Sequence, residues 1–328
     1  MKTWRVAPAP GHHGPVRVMS WNVWWRFDSR DQVTVGPAPA AGDRWRDRER
    51  AIVETLGVIA PDVVGLQEVW ATAGTTQADV LAGAVGMHAA FAAPSLPPPP
   101  RPARNPDHAG VEVGVAVLSR WPIVDTSQHA LPSGHRSAVA LAAVIDHPRG
   151  PLHVVTSCID WEADRAGQRR AQTAAIAALL TDPSRDGRLP VLFTADLNAP
   201  PDTAEVRTLT DVAVDAWAGA GGVADRGAAG AMGGGTVGAG GSADRGAGGA
   251  VGDAERMAAA VEAGHTLSSG NPLAPREAWQ LDHRIDYVMA RPGRPEHPVA
   301  VDRVFLAGAP LAGVWPSDHY AVVADLQT

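Results

Sequence analysis

The sequence predicts a layered α+β or α/β sandwich, and three observations support this fold class. The chain has 328 residues, of which 45% are apolar and 19% charged, so it can bury a large core. Strand-like segments outnumber helical ones and do not alternate strictly with them, which argues against a simple doubly wound sheet. Finally, polar residues stand at the ends of five predicted strands, where layered proteins of this kind collect their site residues.

Apolar periodicity gives the elements in order. A first strand is predicted at residues 16–23, and a helix follows in which Trp45, Ile52, Leu56 and Ile59 recur at helical spacing before Pro61. Further helices are expected around residues 80–85 and over residues 164–180. The remaining strand-like runs are residues 62–66, 114–119, 123–130, 137–146, 152–159, 190–195, 285–289, 301–305 and 320–326.

Two segments of unusual composition interrupt this pattern. Residues 92–109 contain four consecutive prolines and predict a Pro-rich surface loop. Residues 218–252 are almost entirely Gly and Ala and cannot bury enough apolar area to offset the entropy of ordering, so a mobile insertion is expected. Strand-like segments with related chemistry lie on both sides of each, and we therefore expect one domain over residues 1–328.

Charge and cysteine content narrow the function classes. The net charge of −7 argues against a broad basic face for nucleic acid, although a local basic cleft stays open. Cys158 is the single cysteine, which excludes an intramolecular disulfide and a cysteine-based zinc site. The first 14 residues lack the apolar core of a signal peptide, and no apolar run approaches the ~20 residues of a transmembrane segment. We expect a cytoplasmic monomer.

Five strand ends carry residue types suited to metal-assisted phosphate chemistry. Their side chains comprise four carboxylates, two carboxamides and one histidine: Glu68, Asp196, Asp286, Asp318, Asn22, Asn198 and His319. Gln67 precedes Glu68 at the second of these ends. Each residue alone is common in turns and strand ends. Together they offer hard oxygen ligands and a base that titrates near neutrality, which suits Mg²⁺ or Mn²⁺ with a phosphate-ester substrate.

In chain order, the motifs WNV, LQE, AVLSRWPI, TADLN, RIDYV and SDHY resemble the endonuclease/exonuclease/phosphatase superfamily. The resemblance runs from about Val16 to Leu326, with the Gly/Ala-rich segment as an insertion. It implies a deoxyribonuclease I-like fold, a four-layer α/β/β/α sandwich with its site at one end of two packed sheets. It also implies a divalent-metal-dependent hydrolase that attacks a phosphodiester or phosphomonoester in line with an activated water.

The same resemblance implies a metal-binding group. Glu68 would be the principal ligand of Mg²⁺ or Mn²⁺, with Asn22 beside it and Asp318 reaching the same region.

It further implies the catalytic roles. His319 would be the general base, and Asp286 would hold its imidazole in the productive tautomer. Asp196 would orient the attacking water, and Asn198 would donate to the phosphate oxygens. A base that titrates near neutrality suits the proton transfer, and amide donors suit the developing negative charge.

One position departs from the family pattern. The strand HVVTSCIDWE places Cys158 where many relatives have a phosphate-contacting histidine. A thiol is a poor hydrogen-bond donor, so the phosphate contact would be weaker or would come from Arg165, Arg169 or His153. The alternative is that Cys158 is a small buried residue.

Two further features could contact substrate. The segment HTLSSGN, ahead of RIDYV, offers His265 and Asn271 as substrate contacts, unless they only shape a turn. Several of the eleven tryptophans flank site residues and either pack against the sheet ends or form an aromatic rim for bases or acyl chains.

The broad interpretation is a Mg²⁺-dependent phosphoesterase of unassigned substrate, and a phosphomonoesterase or a diesterase for small soluble or lipid-headgroup substrates stays open within it. Three alternatives stand beside it. A DNA endonuclease or exonuclease needs a basic track, yet Arg44, Arg46, Arg48 and Arg50 are interleaved with acidic residues, which favours a solvated helix face. A sphingomyelinase-type diesterase would normally act outside the cell. A non-catalytic ligand-binding member would have no physical need for a base, its orienting carboxylate and a metal ligand together.

Overall fold

Two β-sheets pack face to face, and helices cover both outer surfaces. The computed structural model describes residues 14–26, 44–95, 106–133, 137–220 and 262–328. Strands and helices are numbered in chain order. The helices are α1 (Trp45–Ile59), α2 (Gln77–Val85), α3 (Ala166–Leu180), α4 (Ala204–Thr210) and α5 (Ala216–Gly219). The observed order of layers confirms the predicted four-layer α/β/β/α sandwich.

The first sheet has seven strands, and β1 and β2 run parallel near its middle. Across the sheet the order is β12 (Ala300–Ala307), β13 (Ala321–Gln327), β1 (Val16–Asn22), β2 (Val63–Thr72), β5 (Glu112–Ser119) and β4 (His88–Ala92), with β3 (Thr75–Thr76) paired to β2.

The second sheet has six strands, and β8 and β9 form its parallel pair. Across the sheet the order is β10 (Val214–Asp215), β11 (Asp286–Arg291), β9 (Val191–Asp196), β8 (Gly150–Cys158), β7 (Val139–His147) and β6 (Ile123–Ala130).

Alternating apolar side chains fill the space between the sheets. Val18 and Val117 of the first sheet share a cluster with Leu141 and Val154 of the second. The two sheets approach especially closely at Gly65, where an added Cβ would lie 1.7 Å from Thr194 Oγ1. Any larger residue would push β2 away from β9 and separate the two strand ends that carry site residues.

The helices form where an apolar face meets a sheet. Helix α1 packs Ile52 and Leu56 on the first sheet and ends at Ala60 in a left-handed conformation, one residue before Pro61. Helix α2 begins with a reciprocal capping box between Thr76 and Asp79. On the other side, α3 and α4 cover the second sheet.

Most predicted elements are present, with boundaries shifted by a few residues. The strand predicted at residues 62–66 continues to Thr72, because Trp70 and Ala71 also pair with β5. The helix predicted at residues 164–180 begins as a 3₁₀ turn before α3. Strands β3, β4 and β10 and helices α4 and α5 were not predicted.

The two compositionally unusual segments are described only at their edges. Residues 96–105 of the predicted Pro-rich loop and residues 221–252 of the predicted insertion lie outside the described residues. In the part of the chain that the structure describes, every helix is too short or too polar to cross a membrane.

Candidate active site

Strand pairing brings the predicted polar strand ends together. Asp196, at the end of β9, lies opposite Cys158 of β8 on one side and Asp286 of β11 on the other. In the facing sheet, Asn22 at the end of β1 lies opposite Gln67 of β2. These ends meet at one edge of the sandwich, which is the arrangement that the polar strand ends predict.

Asn22 connects the two sheets. Its Nδ2 donates to Glu68 Oε1 at 3.0 Å and to Asp196 Oδ2 at 2.9 Å. Its Oδ1 accepts from the backbone nitrogen of Trp24 at 3.0 Å, which fixes the plane of the amide. One buried amide therefore holds two carboxylates from different sheets close to each other.

A β-bulge separates the two polar residues of the LQE motif. The pairing of β2 with β5 changes register between Gln67 and Val69, and Glu68 adopts a positive φ of 56°. Gln67 consequently lies between the sheets, where its Nε2 donates to Thr156 Oγ1 at 3.1 Å, whereas Glu68 reaches Asn22. Burial and the nearby charge of Asp318 raise the pKa of Glu68 to about 7.

His319 and Asp286 form the predicted dyad. The distance between His319 Nδ1 and Asp286 Oδ2 is 2.9 Å, and both residues are buried. The imidazole Nε2 is thus the ring nitrogen left to act on substrate. Although burial opposes a positive charge, the carboxylates of Asp286, Asp318 and Asp196 raise the pKa of His319 well above its usual value.

The loop that carries Asp318 and His319 is fixed from both sides. Ser317 Oγ donates to the backbone oxygen of Asn22 at 2.7 Å and accepts from His319 N at 3.2 Å. Asn271 Nδ2 donates to the backbone oxygen of Ser317 at 2.9 Å, and Asn271 is fully buried. These contacts give Asn271 a loop-holding position, and its predicted contact with substrate stays a prediction.

Thr266 is a site residue that sequence reasoning missed. Its hydroxyl oxygen accepts from the backbone nitrogens of Ile285 at 2.9 Å and Asp286 at 3.1 Å. Its carbonyl accepts from Tyr320 N at 2.8 Å. Thr266 therefore joins the two strand ends that carry the dyad. It stands beside the predicted His265, but no residue-type motif marked it.

Asn198 and Asp196 form a compact turn. Asn198 has a positive φ of 46°, and its backbone nitrogen donates to Asp196 Oδ1 at 2.9 Å. Asn198 Nδ2 donates to the carbonyl of Ile159 at 3.1 Å, which leaves its second amide hydrogen for the predicted phosphate contact. Burial, followed by the charge of Asp286, raises the pKa of Asp196 to about 7.

Cys158 lies within the site but is buried. It is 2% exposed, and its sulfur is 3.9 Å from Asp196 Oδ2. Burial, followed by the charge of Asp196, raises the pKa of the thiol well above its usual value, so the group stays a neutral thiol.

The three residues proposed to replace the missing histidine are either distant from Cys158 or paired with other side chains. His153 is five residues before Cys158 on β8, which places it about 16 Å away along the strand, so it cannot compensate. Arg165 forms ion pairs with Glu162 and Asp164. Arg169 forms a buried ion pair with Glu205, with 3.4 Å between Arg169 Nε and Glu205 Oε1.

His265 lies next to the dyad-supporting Thr266 and is half-buried. Its ring stacks on His283 with 6.5 Å between centroids, and burial lowers its pKa. Its predicted contact with substrate stays a prediction.

The tryptophans divide into two groups. Trp21 is fully buried and donates from Nε1 to the carbonyl of His319 at 3.1 Å, and Trp70 is buried in a cluster with Trp45. Trp161 and Trp279 are instead 46% and 36% exposed.

The donor set fits a divalent cation. Among the described residues, Glu68 and Asp196 form no ion pair with an arginine, whereas the charges of His319 and Arg48 act on Asp318. Burial raises the pKa of each of these three carboxyl groups, and the charge of Asp318 raises the pKa of Glu68 further. Ligand atoms of Asp196, Asp286 and His319 also lie within 4.8 Å of one another. Carboxylates held together in this way, buried at Asp196 and Asp318 and partly buried at Glu68, are stabilised by a bound cation.

Comparison with known proteins gives the family. The sequence model of the Endonuclease/Exonuclease/phosphatase family matches residues 19–319. Human Nocturnin is 25% identical over 200 residues, which are 58% of this chain and 45% of that protein. The match therefore spans less than half of Nocturnin.

Solved structures show the same fold. An endonuclease/exonuclease/phosphatase from Beutenbergia cavernae is 22% identical, with a TM-score of 0.61 over 95% of this chain and 71% of that one. The human Nocturnin catalytic domain with bound sulfate is 17% identical, with a TM-score of 0.59 over 96% and 93%.

A third structure of this fold is zebrafish (D. rerio) TDP2 with a single-strand DNA product. It is 18% identical, with a TM-score of 0.57 over 95% of this chain and 99% of that one. The family match covers the strand ends that meet at the site, from Asn22 to His319, and the fold agrees with it. This chain belongs to the endonuclease/exonuclease/phosphatase family, whose members hydrolyse phosphoester bonds.

Proposed function

We propose that this protein is a divalent-metal-dependent phosphoesterase that cleaves a phosphodiester or phosphomonoester by direct attack of water. The observation that carries the proposal is the buried dyad of His319 and Asp286. It stands beside Glu68 and Asp196, two carboxylates that form no arginine ion pair among the residues that the structure describes. A general base, its orienting carboxylate and a cation site are the parts that hydrolysis of a phosphate ester requires.

Each residue has a role that its contacts support. In its neutral form, His319 accepts the proton of the attacking water at Nε2, because Nδ1 is held by Asp286. Asp196, within 4.8 Å of the dyad, orients that water. Asn198 offers its remaining amide hydrogen to a phosphate oxygen. The reaction forms no covalent intermediate with the protein.

Glu68 and Asp318 would hold the cation. Asn22, the third predicted ligand, would orient Glu68 through Nδ2, because its amide oxygen accepts from the backbone nitrogen of Trp24. Mg²⁺ or Mn²⁺ would supply Lewis-acid polarisation of the phosphoryl oxygen. The bridge from Asn22 to Glu68 and Asp196 keeps the cation ligands beside the water-orienting carboxylate.

Hydrolysis of synthetic esters tests the proposal. Purified protein is assayed on bis-p-nitrophenyl phosphate and on p-nitrophenyl phosphate, with Mg²⁺, Mn²⁺ or EDTA. We expect metal-dependent release of p-nitrophenol that falls by about 10²–10⁴ in His319→Ala, the range for loss of a general base. The preferred ester then separates diesterases from monoesterases.

The matched control is His297→Ala, because His297 is an exposed histidine in the connection between β11 and β12 and follows the end of β11 opposite to Asp286. It should retain the wild-type rate. Equal rates in wild type and His319→Ala would contradict the assignment of the base.

A nuclease is the second candidate. It is favoured by the fold neighbour TDP2, which was solved with a single-strand DNA product, and disfavoured by the net charge of −7. Binding to mixed-sequence DNA with a steep dependence on salt concentration would support it. A non-catalytic binding protein is the third candidate, and undetectable Mg²⁺ or Mn²⁺ binding would favour it. Cytoplasmic location and a monomeric state belong to the proposal, and sedimentation would test the latter.

A further inference from the structure

We propose that Trp161 and Trp279 form a stacking subsite that receives a nucleobase carried by the phosphate ester. This proposal rests on the proposed function, since it names the chemical class of the group attached to the phosphate. The two indoles are the most exposed tryptophan side chains among the described residues, at 46% and 36%. No metal ligand or dyad member is part of this subsite.

Hydrogen bonds connect this stacking subsite to the carboxylates of the candidate active site. Trp279 Nε1 and Gln280 Nε2 each donate to the carbonyl of Trp161 at 2.8 Å. Gln280 Nε2 also donates to Asn198 Oδ1 at 3.2 Å, and Gln280 is buried. Asn198 in turn donates to Asp196. The carbonyl of Trp161 is therefore three hydrogen bonds away from the carboxylate that orients the water, and the Trp279 indole is four away.

The Trp279 ring is held rigidly. The guanidinium of Arg169 lies over it, with 4.9 Å between Arg169 Cζ and the ring centroid, and the Arg169 side chain is 3% exposed. Arg169 Nη1 also donates to the carbonyl of Glu162 at 2.6 Å. A ring fixed on one side by a buried cation presents its remaining surface with little loss of side-chain entropy on binding.

The charges around the indoles favour an uncharged ring as the occupant. Asp160, Glu162 and Asp164 surround Trp161 in the chain, and Arg165 already pairs with Glu162 and Asp164, so this segment does not favour a second phosphate. A quaternary ammonium group is disfavoured as well, because Arg169 already occupies the cation position on Trp279. A planar neutral ring stacks on an indole whichever base it belongs to. The ring that phosphate esters carry most often is a nucleobase.

Calorimetry with matched probes tests the subsite. AMP and ribose 5-phosphate differ only by the base, and both are titrated in the His319→Ala background with Mg²⁺, so that neither is hydrolysed. We expect AMP to bind about tenfold more tightly, a difference equivalent to about 1.4 kcal/mol. In that background Trp279→Leu should remove the difference, Trp161→Leu should reduce it, and Trp279→Phe should keep most of it.

The control is Val58→Ala, an exposed apolar residue on α1 that should leave the preference unchanged. Equal binding of AMP and ribose 5-phosphate, or a preference that survives Trp279→Leu in a folded protein, would overturn the proposal. Tighter, Trp279-dependent binding of phosphocholine or hexyl phosphate would also overturn it, in favour of a headgroup or an acyl chain. Because binding is measured without turnover, this result is independent of whether wild-type protein hydrolyses esters.

Discussion

Buried carboxylates occur in two very different settings in this molecule. Away from the site they are matched by arginines, as in the pairs Asp215–Arg284, at 2.7 Å, and Glu205–Arg169, at 3.4 Å. At the site, Glu68 and Asp196 have an amide between them and no arginine among the described residues. The first setting neutralises each charge within the protein, and the second leaves negative charge for something else to neutralise.

This difference separates structural carboxylates from functional ones. A paired carboxylate costs little to keep ionised, whereas burial without a cation raises the pKa of Glu68 and Asp196 to about 7. Holding such groups together destabilises the folded chain unless a ligand compensates. Substitutions in the two settings should accordingly have opposite consequences for stability and activity.

The largest effect is expected for Glu68→Gln. Loss of the cation ligand should lower the hydrolysis rate by on the order of 10² or more, because Lewis-acid stabilisation is worth several kcal/mol. Without added metal at pH 8, the variant should unfold at the same temperature as wild type or higher, since a buried charge is removed. Hydrolysis of bis-p-nitrophenyl phosphate and thermal unfolding measure the two results.

Glu54→Gln, an exposed change on α1, is the control for Glu68→Gln and should alter neither quantity. A Glu68→Gln protein that is strongly destabilised would assign Glu68 to the structural group instead.

Asp215→Asn should show the opposite behaviour. It leaves Arg284 buried beside a neutral partner, and we expect the free energy of unfolding to fall by about 3–5 kcal/mol. Hydrolysis per folded molecule should be unchanged. Urea unfolding checks the first expectation and an activity assay the second.

The matched control here is Asp186→Asn, which removes a partner of Arg291 at an exposed position. A surface pair contributes at most about 1 kcal/mol, so this variant should unfold close to wild type. Equal losses in Asp186→Asn and Asp215→Asn would remove the distinction between buried and exposed pairs.

A smaller effect is expected for Thr266→Val. The variant keeps the shape of the side chain but leaves the backbone nitrogens of Ile285 and Asp286 without their acceptor. We expect kcat to fall about tenfold with KM nearly constant, because 1.36 kcal/mol corresponds to a tenfold change in rate and an unsatisfied buried donor costs about 1–3 kcal/mol. Thr266→Ser should restore the rate, whereas a purely steric role would make serine as poor as valine.

The smallest effect is expected for Cys158→Ala. The thiol is a weak donor, and its sulfur is 3.9 Å from Asp196 Oδ2, so the rate should fall by less than about threefold. The initial rate on bis-p-nitrophenyl phosphate measures this. A loss as large as that of Glu68→Gln would show that the thiol contributes directly to the chemistry.

The sequence predicted the layered fold because its strands are short apolar runs, as in residues 114–119, several of them rich in β-branched residues, as in residues 152–159. It missed β4, whose sequence HAAFA has no β-branched residue and which becomes a strand by pairing with β5. The polar strand ends could also be predicted, since Asp196 ends one recognisable apolar run and Asp286 begins another.

Other parts of the site have no local signal. Thr266 and Gln280 act through hydrogen bonds to residues that other segments bring nearby, and neither lies in a motif. The bulge that turns Glu68 toward the site and Gln67 away from it depends on pairing with β5. Local sequence cannot specify such long-range contacts.

The central claim is that Glu68 and its neighbouring carboxylates at the site hold a divalent cation. Calorimetric titration of Mg²⁺ tests this claim most directly. Carboxyl ligands must be deprotonated, and burial raises the pKa of Glu68, the principal ligand, to about 7, as it does that of the neighbouring Asp196. Wild-type protein should therefore bind Mg²⁺ at pH 8 and much more weakly at pH 5, and Glu68→Gln should bind it weakly at both. Equal binding by wild type and Glu68→Gln at pH 8 would contradict the account.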